Sequence, residues 1–158
     1  MTANHLCFEL KTGAQTDHVA ATLAVRLAPG DTALLRGPVG AGKTHFARSL
    51  IRRILITPED IPSPTFTLVQ TYETTQGPLW HCDLYRIGTP REIEELGLME
   101  AFDTAICLVE WPEHLGALRP ADALEITLSD GPDEESRHLD ASWVAEKWSE
   151  KLSGWSPA

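Results

Sequence analysis

A chain of 158 residues with 42% hydrophobic and 7% aromatic side chains is one domain's worth of polypeptide with a real core, and its 23% charged content is too low for a disordered chain. The balance of 13 Lys and Arg against 23 Asp and Glu gives a net charge of −10. So little cationic surface argues against autonomous binding to nucleic-acid phosphates, and no window nears the ~20 apolar residues of a membrane-spanning helix.

Residues 5–10 read as a short strand. After the Gly13 break, Thr16 is expected to cap a helix whose Val19, Leu23 and Leu27 share one face, ended by Pro29 and Gly30. Residues 31–36 (DTALLR) form a short apolar strand that runs into a glycine-rich turn, and a helix follows from Lys43 to about Leu55, with Arg48, Arg52 and Arg53 on its face. Residues 66–73 (FTLVQTYE) and 78–84 (PLWHCDL) read as an antiparallel hairpin around 74–77 (TTQG), and Arg91 to Leu96 as a short acidic helix. The unbroken apolar run 105–109 (AICLV) is a strand of the kind buried on both faces inside a parallel sheet. A final strand pair spans 124–128 and 137–141 around a polar, solvated turn, and a tail helix runs from about Trp143 to Leu152, anchored by Trp143, Trp148 and Trp155. Buried strands alternating with helices predict a single domain over 1–158 with an α/β fold, a mixed, mainly parallel sheet between helical layers, plus β-hairpins.

Cys7, Cys82 and Cys107 are odd in number and match no metal spacing, so reduced, buried strand thiols in a cytoplasmic protein are expected. The start of the chain lacks the features of a secretion signal. His81 and His114 have no second ligand at metal spacing.

The chemistry concentrates in residues 37–44. Gly37, Pro38, Val39, Gly40, Ala41, Gly42, Lys43 and Thr44 satisfy GxxxxGK[ST] at every required position, between a predicted strand and a predicted helix. Glycines let the backbone wrap phosphate oxygens with its amides inward, and the helix start beyond adds partial positive charge. Lys43 would bridge the β- and γ-phosphates of ATP, and the Thr44 hydroxyl would take one Mg2+ position. Such a loop needs an acid at the end of a buried strand. Glu110, closing the 105–109 strand, fits, and Asp83 is a second acid on a strand.

The segments GPVGAGKT, SPTFTLVQTYE from Ser63, HCDLYRI from His81, EELGL from Glu94 and ICLVEWPE from Ile106 occur in an order and spacing that resembles the TsaE (YjeE) family, over nearly the whole chain. The resemblance implies a P-loop NTPase-like three-layer sandwich and a slow, magnesium-dependent ATPase of tRNA threonylcarbamoyladenosine synthesis. It would work with the TsaD and TsaB proteins and meet tRNA only through them. It also implies that Thr44, Glu110 and Asp83 serve magnesium, that Asp83 is the other essential acid, near the γ-phosphate or its water, and that Thr65 lies in a switch loop. Trp111 would pack by the nucleotide, with Thr16 and Arg137 toward the adenine. His45 stands where a Thr or Ser is usual and puts nucleotide affinity in question, while Pro38 replaces a frequent acid whose side chain points away from phosphate. Two other readings fit the same loop. A small P-loop kinase would need an Arg-rich lid, which the sequence lacks, and a non-hydrolysing nucleotide-dependent adaptor would release no phosphate.

Overall fold

The computed structural model describes residues 3–157. Seven strands make one sheet: β1 (Asn4–Leu10), β2 (Thr32–Arg36), β3 (Val69–Thr74), β4 (Gly77–Asp83), β5 (Ile106–Glu110), β6 (Leu124–Asp130) and β7 (Arg137–Trp143), in the order β1-β7-β6-β2-β5-β4-β3. The four central strands, β6, β2, β5 and β4, are parallel; β7 pairs antiparallel with β6, β1 pairs antiparallel with β7 and so runs in the central direction again, and β3 pairs antiparallel with β4 at the other edge. This is the mixed α/β sheet that the sequence predicts.

Strand alternation assigns the two faces. On β2, Ala33 and Leu35 join the core beneath α1 (Gly13–Ala24) and α2 (Lys43–Ile54), and Leu34 joins the opposite core with α3 (Pro90–Glu95) and α4 (Leu98–Thr104). On β5, Ile106 and Leu108 face the first layer, Cys107 and Val109 the second. Both faces of the central strands are thus dry, which is why β5 is apolar without a break. A 3-10 stretch, Pro112–Leu118, extends the second layer, and α5 (Glu146–Lys151) completes the first.

That second layer covers only half of the sheet. On β1 the apolar Leu6 and Phe8 pack on the first core, so the intervening Cys7 points to the uncovered face. Cys7 is therefore exposed, contrary to the expectation of burial, and its thiol donates to Asp140 Oδ1 on β7 at 2.7 Å. That bond to a carboxylate is the main reason its pKa is raised. Cys82 and Cys107 are buried as expected, and burial pushes the Cys107 thiol up to about 12.

Several element ends differ from the sequence reading for local reasons. Helix α1 is capped by Thr12, whose Oγ1 accepts from Gln15 N, and Thr16 sits buried one turn inside. Residues 66–68 are not strand: Leu68 has φ 68°, and its amide closes a turn on the Pro64 carbonyl. Helix α4 has no start signal in the sequence, because Gly97, at φ 80°, ends α3 and starts the next helix with no polar cap to mark it. Trp143 belongs to β7, not to the tail helix, but all three late tryptophans are anchors. Their indole nitrogens donate to Ser149 Oγ, the Asp122 carbonyl and the Val19 carbonyl, from Trp143, Trp148 and Trp155 respectively. Among the described residues no helix is long and apolar enough to cross a membrane.

Candidate nucleotide site

The loop between β2 and α2 leaves the carboxyl end of a central strand, where parallel sheets place their ligands. Its glycines are structural requirements. Gly37 has φ 143°, and a β-carbon on it would fall inside van der Waals contact with the Leu128 carbonyl oxygen of β6. Gly42 adopts φ 97° as the residue before α2, a left-handed geometry that costs a larger residue energy.

Lys43 is buried, with 6% exposure. Its ammonium donates to the Gly37 carbonyl and to Pro38 O at 3.4 Å, and it lies 3.8 Å from the Trp111 ring centroid. Burial lowers its pKa, while Glu110, Glu113 and Asp83 pull it back up. Trp111 adopts φ 57°, unusual for a bulky residue, and so turns its indole between Lys43 and Tyr85, whose ring centroid is 4.9 Å away.

Two carboxylates stand at the strand ends. Asp83 on β4 is directly opposite Glu110 on β5, and both are buried. Glu110 Oε1 accepts from the Thr44 hydroxyl at 2.8 Å, and Glu110 Oε2 lies 2.7 Å from His81 Nε2. Asp83 Oδ1 accepts from Tyr85 N at 2.9 Å, and Oδ2 accepts from Thr65 Oγ1 at 3.4 Å. Thr65 in turn meets Ser63 Oγ at 2.7 Å. Around these groups lies a cleft of about 430 Å³, lined by Pro38, Val39, Gly40, Gly42, Lys43, Thr44, His45, Thr65, Asp83, Tyr85, Glu110 and Trp111.

Most residues singled out in the sequence thus converge. Pro38, expected to point away, lines the cleft, whereas Gly37 and Ala41 shape the loop from behind it. Thr16 and Arg137 lie in a second cleft of about 350 Å³ with Gly13, Glu134 and Glu135, joined to the first through Gly42 and His45. The Arg137 guanidinium donates to the carbonyls of Ala41, Glu134 and Ser136. His45 turns Nε2 to Asp17 Oδ1 at 2.7 Å, the oxygen that also accepts from Ser49. His81, set aside above as a metal ligand, Glu134 and Glu135, expected in a solvated turn, and Tyr85 also line or support the two clefts. Alternation with Asp83 on one strand was the available signal for His81, and nothing local marked the others.

The family model for "Threonylcarbamoyl adenosine biosynthesis protein TsaE" matches residues 10–139. The chain belongs to the TsaE family. It is 41% identical over 119 residues to the tRNA threonylcarbamoyladenosine biosynthesis protein TsaE of Rickettsia bellii (strain RML369-C), spanning 75% of this chain and 83% of that one. It is 37% identical over 122 residues to the protein of that name from Bacillus subtilis (strain 168), spanning 77% and 75%. A crystal structure of Bacillus subtilis YdiB superposes with a TM-score of 0.79 at 26% identity, covering 98% of this chain and 96% of that one. The family is one of tRNA threonylcarbamoyladenosine biosynthesis.

Proposed function

We propose that the chain is one cytoplasmic P-loop domain that binds ATP or ADP with Mg2+ in the cleft, hydrolyses ATP, and so sustains turnover of a TsaD–TsaB complex that modifies tRNA. The observation that carries this reading is the hydrogen bond from the Thr44 hydroxyl to Glu110 at the phosphate end of the loop. A hydroxyl that gives its hydrogen to a carboxylate keeps its lone pairs for a cation, and the donors gathered there, Thr44, Glu110 and Asp83, are the hard oxygens that magnesium takes. The loop fits phosphate because Gly40 and Gly42, which line the cleft at φ 85° and 97°, let its backbone pass close to the ligand.

When bound, magnesium supplies positive charge beside the β- and γ-phosphate oxygens. Lys43 exchanges the weakly attracting carbonyls of Gly37 and Pro38 for phosphate oxygens, keeping its ammonium under the Trp111 ring. Asp83, fixed by Tyr85 N and Thr65, holds a water against the phosphate end, so the Thr65 turn positions the catalytic acid. Arg137 ties the loop to β7 at Ala41, beside the second cleft where the nucleoside fits. With a net charge of −10 the chain has little to offer tRNA directly, so its partners hold the tRNA. The test is phosphate release by the purified chain alone and with the TsaD–TsaB complex. Stimulated release supports the reading. Transfer of the phosphate to a hydroxyl acceptor, or no release in either case, overturns it.

A further inference from the structure

His81 makes a contact that phosphate chemistry alone does not call for. It is fully buried, its Nε2 is 2.7 Å from Glu110 Oε2, and its Nδ1 has no hydrogen-bond partner among the described residues. An unpaired buried polar atom carries a desolvation cost that a leucine in the same volume would avoid. Its other nitrogen offsets that cost by bonding an ionised carboxylate, an interaction stronger than a neutral hydrogen bond.

The strand register shows what this bond achieves. Residues 81 and 83 of β4 and residues 108 and 110 of β5 share the face beneath α2, where Leu79 and Leu108 join the core. Glu110 therefore has Asp83 directly opposite and His81 diagonally behind. Like charges directly opposite on a ladder repel. A donor on the diagonal holds one Glu110 oxygen and leaves the other to Thr44.

We infer that His81 is a positioning residue that fixes the Glu110 carboxylate in the orientation in which Oε1 meets the Thr44 hydroxyl. Glu110 as a carboxylate only accepts, so Nε2 carries the hydrogen. Nδ1 touches no group to which a proton could pass, so the imidazole is an anchor and not a relay. The inference rests on the reading that Thr44 and Glu110 serve a magnesium-bound nucleotide.

The test compares His81→Gln, whose amide nitrogen reaches the position of Nε2, with His81→Leu and with His81→Asn, which stays polar but is too short. ADP affinity is measured by calorimetry in Mg2+ and again in EDTA, with urea unfolding to establish that each variant folds. Wild type and His81→Gln should show the same gain from Mg2+. His81→Leu and His81→Asn should lose about 10-fold or more of that gain, with affinity in EDTA unchanged. An undiminished gain in both short variants, or a His81→Gln that loses as much as His81→Leu, overturns the inference. Absence of ADP binding by the wild type overturns the nucleotide reading instead. The anchor is then read by nitrogen NMR of the nucleotide-free chain, where the Nε2–H tautomer supports it and the Nδ1–H tautomer overturns it.

Discussion

Gly37→Ala is the smallest change that should disable the loop, one methyl group at its first residue. That methyl would overlap the Leu128 carbonyl oxygen and stand 3.3 Å from Ala41 Cβ. Leu128 cannot withdraw easily, because β6 is held between β2 and β7. The loop must move instead, by on the order of 1 Å, a misplacement that elsewhere costs a factor of about 100 in function. Alanine at φ 143° adds backbone strain of about 1–3 kcal/mol, and the overlap adds about 1–3 kcal/mol more. Urea unfolding should therefore show a loss of about 2–6 kcal/mol, and calorimetry should show ADP affinity reduced about 100-fold. Gly88→Ala is the control: it lacks positive φ, lies outside both clefts, its added carbon comes no closer than 3.7 Å to Glu92, and it should be neutral in both assays. Wild-type stability and wild-type ADP affinity in Gly37→Ala would refute the reasoning.

Lys43→Ala should abolish the nucleotide-induced stabilisation, which for the wild type reaches about 2.7 kcal/mol at a hundredfold excess of ligand over its dissociation constant; thermal melts with and without MgADP measure it. Trp148→Ala should cost about 3–5 kcal/mol in urea unfolding, because the ring is fully buried and its nitrogen donates to the Asp122 carbonyl. The His138 pKa is raised, chiefly by its hydrogen bond to Glu9, so this pair stabilises the fold fully below the ordinary histidine value of about 6.5 and loses that contribution as pH rises through the raised folded-state value. Glu9→Gln should flatten that part of the stability profile, as urea titrations across neutral pH will reveal.

The parts legible in the sequence were those with local signatures. GxxxxGK[ST] located the glycine-rich loop between β2 and α2, and the unbroken run ending at Glu110 announced both the doubly covered β5 and its acid. What stayed hidden depends on contacts across the sheet. Alternation of Thr67 and Val69 looks like strand from residue 66, yet the turn closed by Leu68 on Pro64 interrupts it. Cys7 sits among apolar neighbours in sequence, but its face is the half of the sheet that no helix among the described residues covers. Glu134 and Glu135 are exposed, as a polar turn should be, yet the fold brings that turn beside Gly13 and Gly42 to form the second cleft. His81 gains its meaning only through the β4–β5 register.

The central claim is that Glu110 and Asp83 act in ATP hydrolysis while the loop and Lys43 hold the phosphates. Steady-state phosphate release by the wild type, Glu110→Gln and Asp83→Asn in the presence of the TsaD–TsaB complex, with ADP affinity measured on the same samples, tests it most directly. Both variants should lose most of the turnover and keep ADP binding within about 10-fold of wild type, because the acids act on the reacting end of the phosphates. Wild-type turnover in both variants would contradict the account.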